Sequence, residues 1–262
     1  MAMNPQVGAA STHVHDLLTG PPQAGLVRRV GRDRAAVEVA GRLIVLVRAT
    51  GPQTLPCSVV VPRLDLAGVD GERALVGHQQ LVVGDHRVEI VRWWDPPRVH
   101  PGARSVGPQP SGGPSVLDDD TLRALRDAAT ALVARDTTAA ECLVQVLGRG
   151  RGSTPDADDA VAGLLLAGRR LADPDALRDV EAVGATVARA APSRTTLLSA
   201  ELLRAAAHGY AVPVLVQHLT SPTAHSAAEV ERLGATSGRA TLAGVRVLHR
   251  AWRRGAREAV TA

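Results

Sequence analysis

The sequence predicts an α+β protein. A small antiparallel β-barrel or sandwich is expected over residues 1–95, a linker over 96–116 and an α-helical domain over 117–262. Three observations carry this. Before residue 95, short apolar runs are broken at close intervals by turn-forming residues. From 95 to 114, proline, glycine and serine dominate without periodicity. Beyond 118, apolar residues recur at helical spacing behind capping residues.

In the first part, strands are expected at 35–39 and 43–47, separated by Ala40-Gly41-Arg42 as a hairpin turn. Further strands are expected at 58–61, 81–83 and 88–93, with Gly84-Asp85-His86 as a second tight turn. Several short strands at this spacing suit a small barrel or sandwich. Trp93-Trp94, at the end of a strand, reads first as a lid on its core and second as a stacking surface for a ligand. In the second part, helices are expected at 118–134, 155–171, 174–190, 195–207, 212–219, 224–233 and 239–256. The carboxylates of Asp118 to Asp120 favour the start of the first. Ser193 stands near the start of the fourth, and His208-Gly209 marks its end. No internal repeat is evident.

Composition narrows the function classes. All 30 basic residues are arginine, phenylalanine is absent, and the formal charge is only +4. The pI near 10.2 therefore reflects arginine's high pKa and a coding bias rather than a polyanion-binding surface. A nucleic-acid surface needs clustered arginines interleaved with aromatics, and aromatics make up 2% here. No nucleic-acid partner is expected. No apolar run is long enough to span a bilayer, and residues 1–11 lack a secretory signal, so no membrane partner and a cytoplasmic location are expected. Cys57 and Cys142 read as two buried thiols rather than a disulfide. His13 and His15 have no acidic or cysteine partner nearby, so neither a metal site nor a cofactor is expected.

The chemistry concentrates at three expected helix starts. Gly148-Arg149-Gly150-Arg151-Gly152-Ser153-Thr154-Pro155-Asp156-Ala157-Asp158-Asp159 reads as a glycine-rich loop entering a helix, with Thr154 as N-cap and Pro155 at the first helical position. Unpaired N–H groups and the positive end of a helix dipole suit a small anion there, and Asp158 and Asp159 are carboxylates in the first turn. A flexible connection into a well-capped helix fits these residues equally well. The spacing is neither that of a Walker loop nor that of a dinucleotide fingerprint. Thr195-Thr196-Leu197-Leu198-Ser199 places three hydroxyls on one face of a first turn. Gly234-Ala235-Thr236-Ser237-Gly238 adds two more before the last helix. Taken singly, each reads as ordinary capping.

In this order the three motifs resemble the AllH-type family, which contains the oxamate carbamoyltransferase subunit of anaerobic allantoin breakdown. The family's usual first motif reads Gly-Leu-Gly-Pro-Gly-Leu-Thr-Pro-Ser-Gly-Asp-Asp. Gly148, Gly150, Gly152, Thr154, Pro155, Asp158 and Asp159 match it in register. The resemblance covers the C-terminal half closely and the N-terminal half more loosely. Arg151 stands where the family has proline, Asp156 where it has serine, Ala157 where it has glycine, and Ala240 where it usually has aspartate.

The resemblance implies a subunit acting in carbamoyl transfer between an oxamate-like substrate and phosphate, through carbamoyl phosphate, with companion subunits. It makes Asp158 and Asp159 the candidate catalytic carboxylates. The candidate substrate-binding residues are Gly148, Gly150, Arg151, Gly152, Thr154, Thr195, Thr196, Ser199, Thr236, Ser237 and Gly238, with Arg149 as a further cation. The missing acid at Ala240 keeps a second reading open, a non-enzymatic small-anion binding or assembly subunit.

Overall fold

The computed structural model describes residues 6–30, 34–49, 54–63, 71–102 and 116–261. The chain divides into two compact units, Met1–Pro97 and Arg98–Ala262.

The first unit contains β1 (Gln6–Ser11), a 3-10 turn (Thr12–Val14), α1 (His15–Thr19), β2 (Gln23–Val30), β3 (Arg34–Val39) and β4 (Arg42–Arg48). It continues with β5 (Ser58–Val61), β6 (Arg73–Gly77), β7 (Gln80–Val83) and β8 (His86–Trp94). These strands form a closed barrel in the order β1-β5-β4-β3-β2-β6-β7-β8. The sandwich alternative is therefore set aside, and closure leaves no open sheet edge. The expected all-antiparallel pairing is also corrected, because β4 pairs β5 and β1 pairs β8 in parallel. The alternation of β3 shows how the barrel fills: Ala35, Val37 and Val39 are buried while their neighbours are half-buried. The expected hairpin holds: Ala40 and Gly41 have φ of 51° and 68°, the left-handed pair that matches strand twist. Trp93 is half-buried, with its ring 4.5 Å from that of His15. Cys57 and Cys142 form no disulfide; Cys57 is buried and Cys142 half-buried.

Four elements here were not anticipated: β1, β2, β6 and α1. Gly8, Ala9 and Ala10 give β1 little intrinsic strand preference. Its place is set instead by pairing with β5 on one side and β8 on the other.

The second unit is helical: α2 (Asp119–Val133), α3 (Thr138–Val146), α4 (Asp156–Leu171), α5 (Pro174–Ala190), α6 (Leu197–Ala207), α7 (Pro213–Thr220), α8 (Ala224–Glu231) and α9 (Ser237–Thr261). α3 was not anticipated, and α9 begins two residues before the expected Arg239. α4 lies at the centre. Leu164, Leu165 and Leu166 are consecutive and all buried, so the helix is covered nearly all round. Each such leucine contributes roughly 1.5–3 kcal/mol of burial.

Two glycines let α9 lie against α4. A Cβ on Gly163 would sit 2.1 Å from the Thr241 carbonyl oxygen, and one on Gly244 would sit 1.9 Å from that of Ala160. No side chain fits at either point. His249, also on α9, is buried, and burial pushes its pKa down to about 4, so it packs as a neutral ring.

The start of the proline-rich stretch joins this unit as well. The Val99 N–H donates to the Gly209 carbonyl at 2.8 Å, and the buried Arg169 donates back to the Val99 carbonyl at 2.9 Å. The remainder of the expected linker, residues 103–115, lies outside the described residues. Among the described residues, no helix is long and apolar enough to cross a membrane.

Candidate functional site

The 148–159 loop is built on left-handed backbone. Gly148, Gly150 and Gly152 have φ of 80°, 117° and 90°, values that side chains other than glycine's rarely adopt. The first two are also held by close approach. A Cβ on Gly148 would fall 2.2 Å from the Arg194 carbonyl oxygen, and one on Gly150 would fall 2.6 Å from the Asp156 nitrogen. Gly152 faces open space. Among the described residues, the N–H groups of Gly150, Arg151, Gly152, Ser153 and Thr154 have no protein acceptor. Arg149 and Arg151 are exposed on the same loop.

The helix begins one residue later than the sequence suggested. Pro155 is the N-cap, with no side-chain capping bond, and Asp156 is the first helical residue. Thr154 is thereby released from capping. Its hydroxyl instead pairs with that of Ser237 at 3.0 Å, joining the start of α4 to the start of α9.

Asp158 and Asp159 are adjacent on α4 and so point roughly 100° apart. That angle sends them to different neighbours. Asp158 is buried; its Oδ1 accepts the Gly148 N–H at 2.8 Å and its Oδ2 accepts the Thr195 hydroxyl. It braces the loop against the segment leading into α6. Burial raises its pKa, opposed by these two hydrogen bonds. The buried Ser199 hydroxyl lies beside it without a hydrogen bond of good geometry.

Asp159 points to the other side. Its Oδ2 is buried without a hydrogen-bond partner, as is Oδ1 of Asp156. Burial pushes the Asp159 pKa up to about 7; the Ser237 and Thr154 hydroxyls favour its ionised form, while the charges of Asp158 and Asp156 oppose it. A carboxyl that titrates near neutrality can either donate or accept a proton there.

Thus Gly148, Thr154, Asp158, Asp159, Thr195, Ser199 and Ser237 come together. The remaining candidates are placed differently. Thr196 caps its own helix, accepting the Ser199 N–H at 3.1 Å, and donates its hydroxyl to the Ser153 carbonyl at 2.6 Å. Thr236 accepts the Ala240 N–H with its backbone carbonyl. Gly238 is buried against α8, where a Cβ would meet the Val230 carbonyl oxygen at 1.8 Å. Ala240 is fully buried in the first turn of α9. The unpartnered oxygen of Asp156 is an addition, since that residue was not among the candidates drawn from the sequence. A cavity of about 430 Å³ elsewhere in this unit is lined by Arg135, Asp173, Trp252 and Arg254 among others, and by none of the residues gathered here.

The class of domain so defined is all-helical, with three helix starts meeting around two differently engaged aspartates. Residues 146–248 match the family model described as oxamate carbamoyltransferase subunit AllH. The matched stretch runs from the end of α3 into α9 and contains all three helix starts. The match does not reach the barrel. No curated protein and no solved structure matches the chain.

Proposed function

We propose that the helical unit binds a small carbonyl-bearing anion and takes part, with companion subunits, in carbamoyl transfer between an oxamate-like substrate and phosphate. The observation that carries this reading is the meeting of Gly148 and Thr195 on Asp158 with the Thr154–Ser237 pair alongside. The family description over the same residues supports it.

In this reading the free N–H groups of the loop, at the positive end of α4, take the oxygens of phosphate or carboxylate. Arg151, with Arg149, adds charge-assisted contacts. When phosphate attacks the carbamoyl carbon of an N-carbamoyl oxamate-like substrate, the C–N bond breaks and the departing nitrogen takes a proton. Protonated Asp159 donates it, and in the reverse direction accepts it back as the oxamate nitrogen attacks carbamoyl phosphate and phosphate leaves. Asp158 acts on the reaction only through the loop it holds in place. A second reading, a binding or assembly subunit without turnover, is favoured by the buried Ala240, which offers no acid on the α9 side. Transfer activity in the presence of the companion subunits separates the two; affinity without turnover selects the second.

The binding claim is tested by titrating carbamoyl phosphate into the full chain in a calorimeter. Saturable heat is expected for the wild type. Arg151→Glu, at an exposed position, should weaken binding at least ~10-fold, since it replaces attraction with repulsion. Equal affinities in the two would mean that the loop does not hold the anion.

A further inference from the structure

An anion site walled by carboxylates faces an electrostatic problem. Asp156, Asp158 and Asp159 all lie in the first turn of α4. Asp158 has its charge met by two hydrogen bonds, but Asp156 and Asp159 each bury an oxygen that has no partner. The neighbours supplied by other segments are neutral: Thr154 from the loop, Ser237 from α9, and Thr195 and Ser199 at the α6 start. The nearby guanidinium groups lie where solvent screens the charge they bring to a ligand. Arg149, Arg151, Arg194 and Arg239 are exposed, and that of Arg239 donates to the Ala235 carbonyl. A ligand's negative charge brought among these groups must be offset locally, and a proton on an unpartnered carboxylate oxygen both offsets it and supplies a donor.

We infer that anion binding at this site is coupled to protonation of Asp159, whose buried, unpartnered Oδ2 carries the proton and donates it as a hydrogen bond to the bound anion. This rests on the anion-binding reading above and adds its pH regulation. The proton balance is simple. Below the titration of Asp159 the proton is already in place; above it, each anion that binds draws one proton from solvent. Burial, which pushes the Asp159 pKa up to about 7, sets where the change falls. Affinity is therefore full below pH 7 and declines about tenfold for each unit above it.

The test uses the full chain and oxamate, whose carboxylate stays ionised throughout the range. Calorimetric titrations from pH 6 to 8.5, in buffers of different ionisation enthalpy, give affinity and proton uptake together. The wild type is expected to weaken about tenfold per unit above pH 7, with uptake approaching one proton per oxamate bound. Asp159→Asn keeps a neutral donor at the same place, and its affinity should be flat across the range. Binding by the wild type with a flat profile and no proton uptake overturns the coupling and leaves the anion site standing. No saturable binding at any pH overturns the anion site itself. The wild-type uptake decides the matter even if the variant fails to fold.

Discussion

Gly244→Ala should destabilise the helical unit by upwards of ~3 kcal/mol, a fall in melting temperature of about 6–12 °C. At an ordinary helical position facing solvent, the same change stabilises by up to ~1 kcal/mol, because alanine is the better helix former. The sign reverses here because the added methyl would lie 1.9 Å from the Ala160 carbonyl oxygen, a backbone atom that cannot swing aside. The α4 and α9 helices would have to separate by an ångström or more. Gly163, whose Cβ would meet Thr241 at 2.1 Å, should behave in the same way. The consequence reaches function, since the Thr154–Ser237 pair spans those two helices at 3.0 Å and a spread of that size breaks it. Thermal unfolding followed by circular dichroism, with oxamate titration of the folded variant, checks both parts. An unchanged melting temperature would show that the helices do not touch at this point.

Asp158→Ala should cost ~2–5 kcal/mol, because it leaves the Gly148 N–H and the Thr195 hydroxyl without their shared acceptor in a buried place. Asp158→Asn should keep most of the stability, since its amide oxygen still accepts one of the two bonds. It also removes the cost of burying a charge, which is what raises this carboxyl's pKa. The ordering wild type and Asn above Ala, in urea unfolding, identifies a brace. The same ordering in anion affinity shows that the brace acts by holding the loop. Equal stability of Ala and Asn would leave Asp158 with no bracing role.

The sequence made the helix starts legible because their residues carry local backbone chemistry. Proline and aspartate at the start of α4 and α5, threonine before α6, and Gly209 after it each act within a turn of where they stand. What depends on distant segments was not legible. Barrel closure needs β1 to meet both β5 and β8, and neither its composition nor its spacing encodes those partners. The α3 helix was missed although Asp136, whose Oδ1 accepts the Thr138 N–H at 2.9 Å, was a usable start signal.

Within the site, Asp158 and Asp159 look alike in the sequence. Their difference comes from which helix start each meets: the α6 side for one, the α9 side for the other. Thr154 shows a local rule yielding to packing. It has the composition of an N-cap, yet Pro155 takes that position and Thr154 reaches across to Ser237. Gly238 is a candidate substrate-binding residue by resemblance, but its lack of a side chain serves contact with α8.

That three helix starts hold a small anion between them is tested by locating the ligand. A crystal structure of the full chain grown below pH 7 with oxamate should place the anion within hydrogen-bond distance of loop N–H groups between Gly150 and Thr154 and of Asp159. Oxamate found instead in the cavity beside Trp252, with the loop empty, would contradict it.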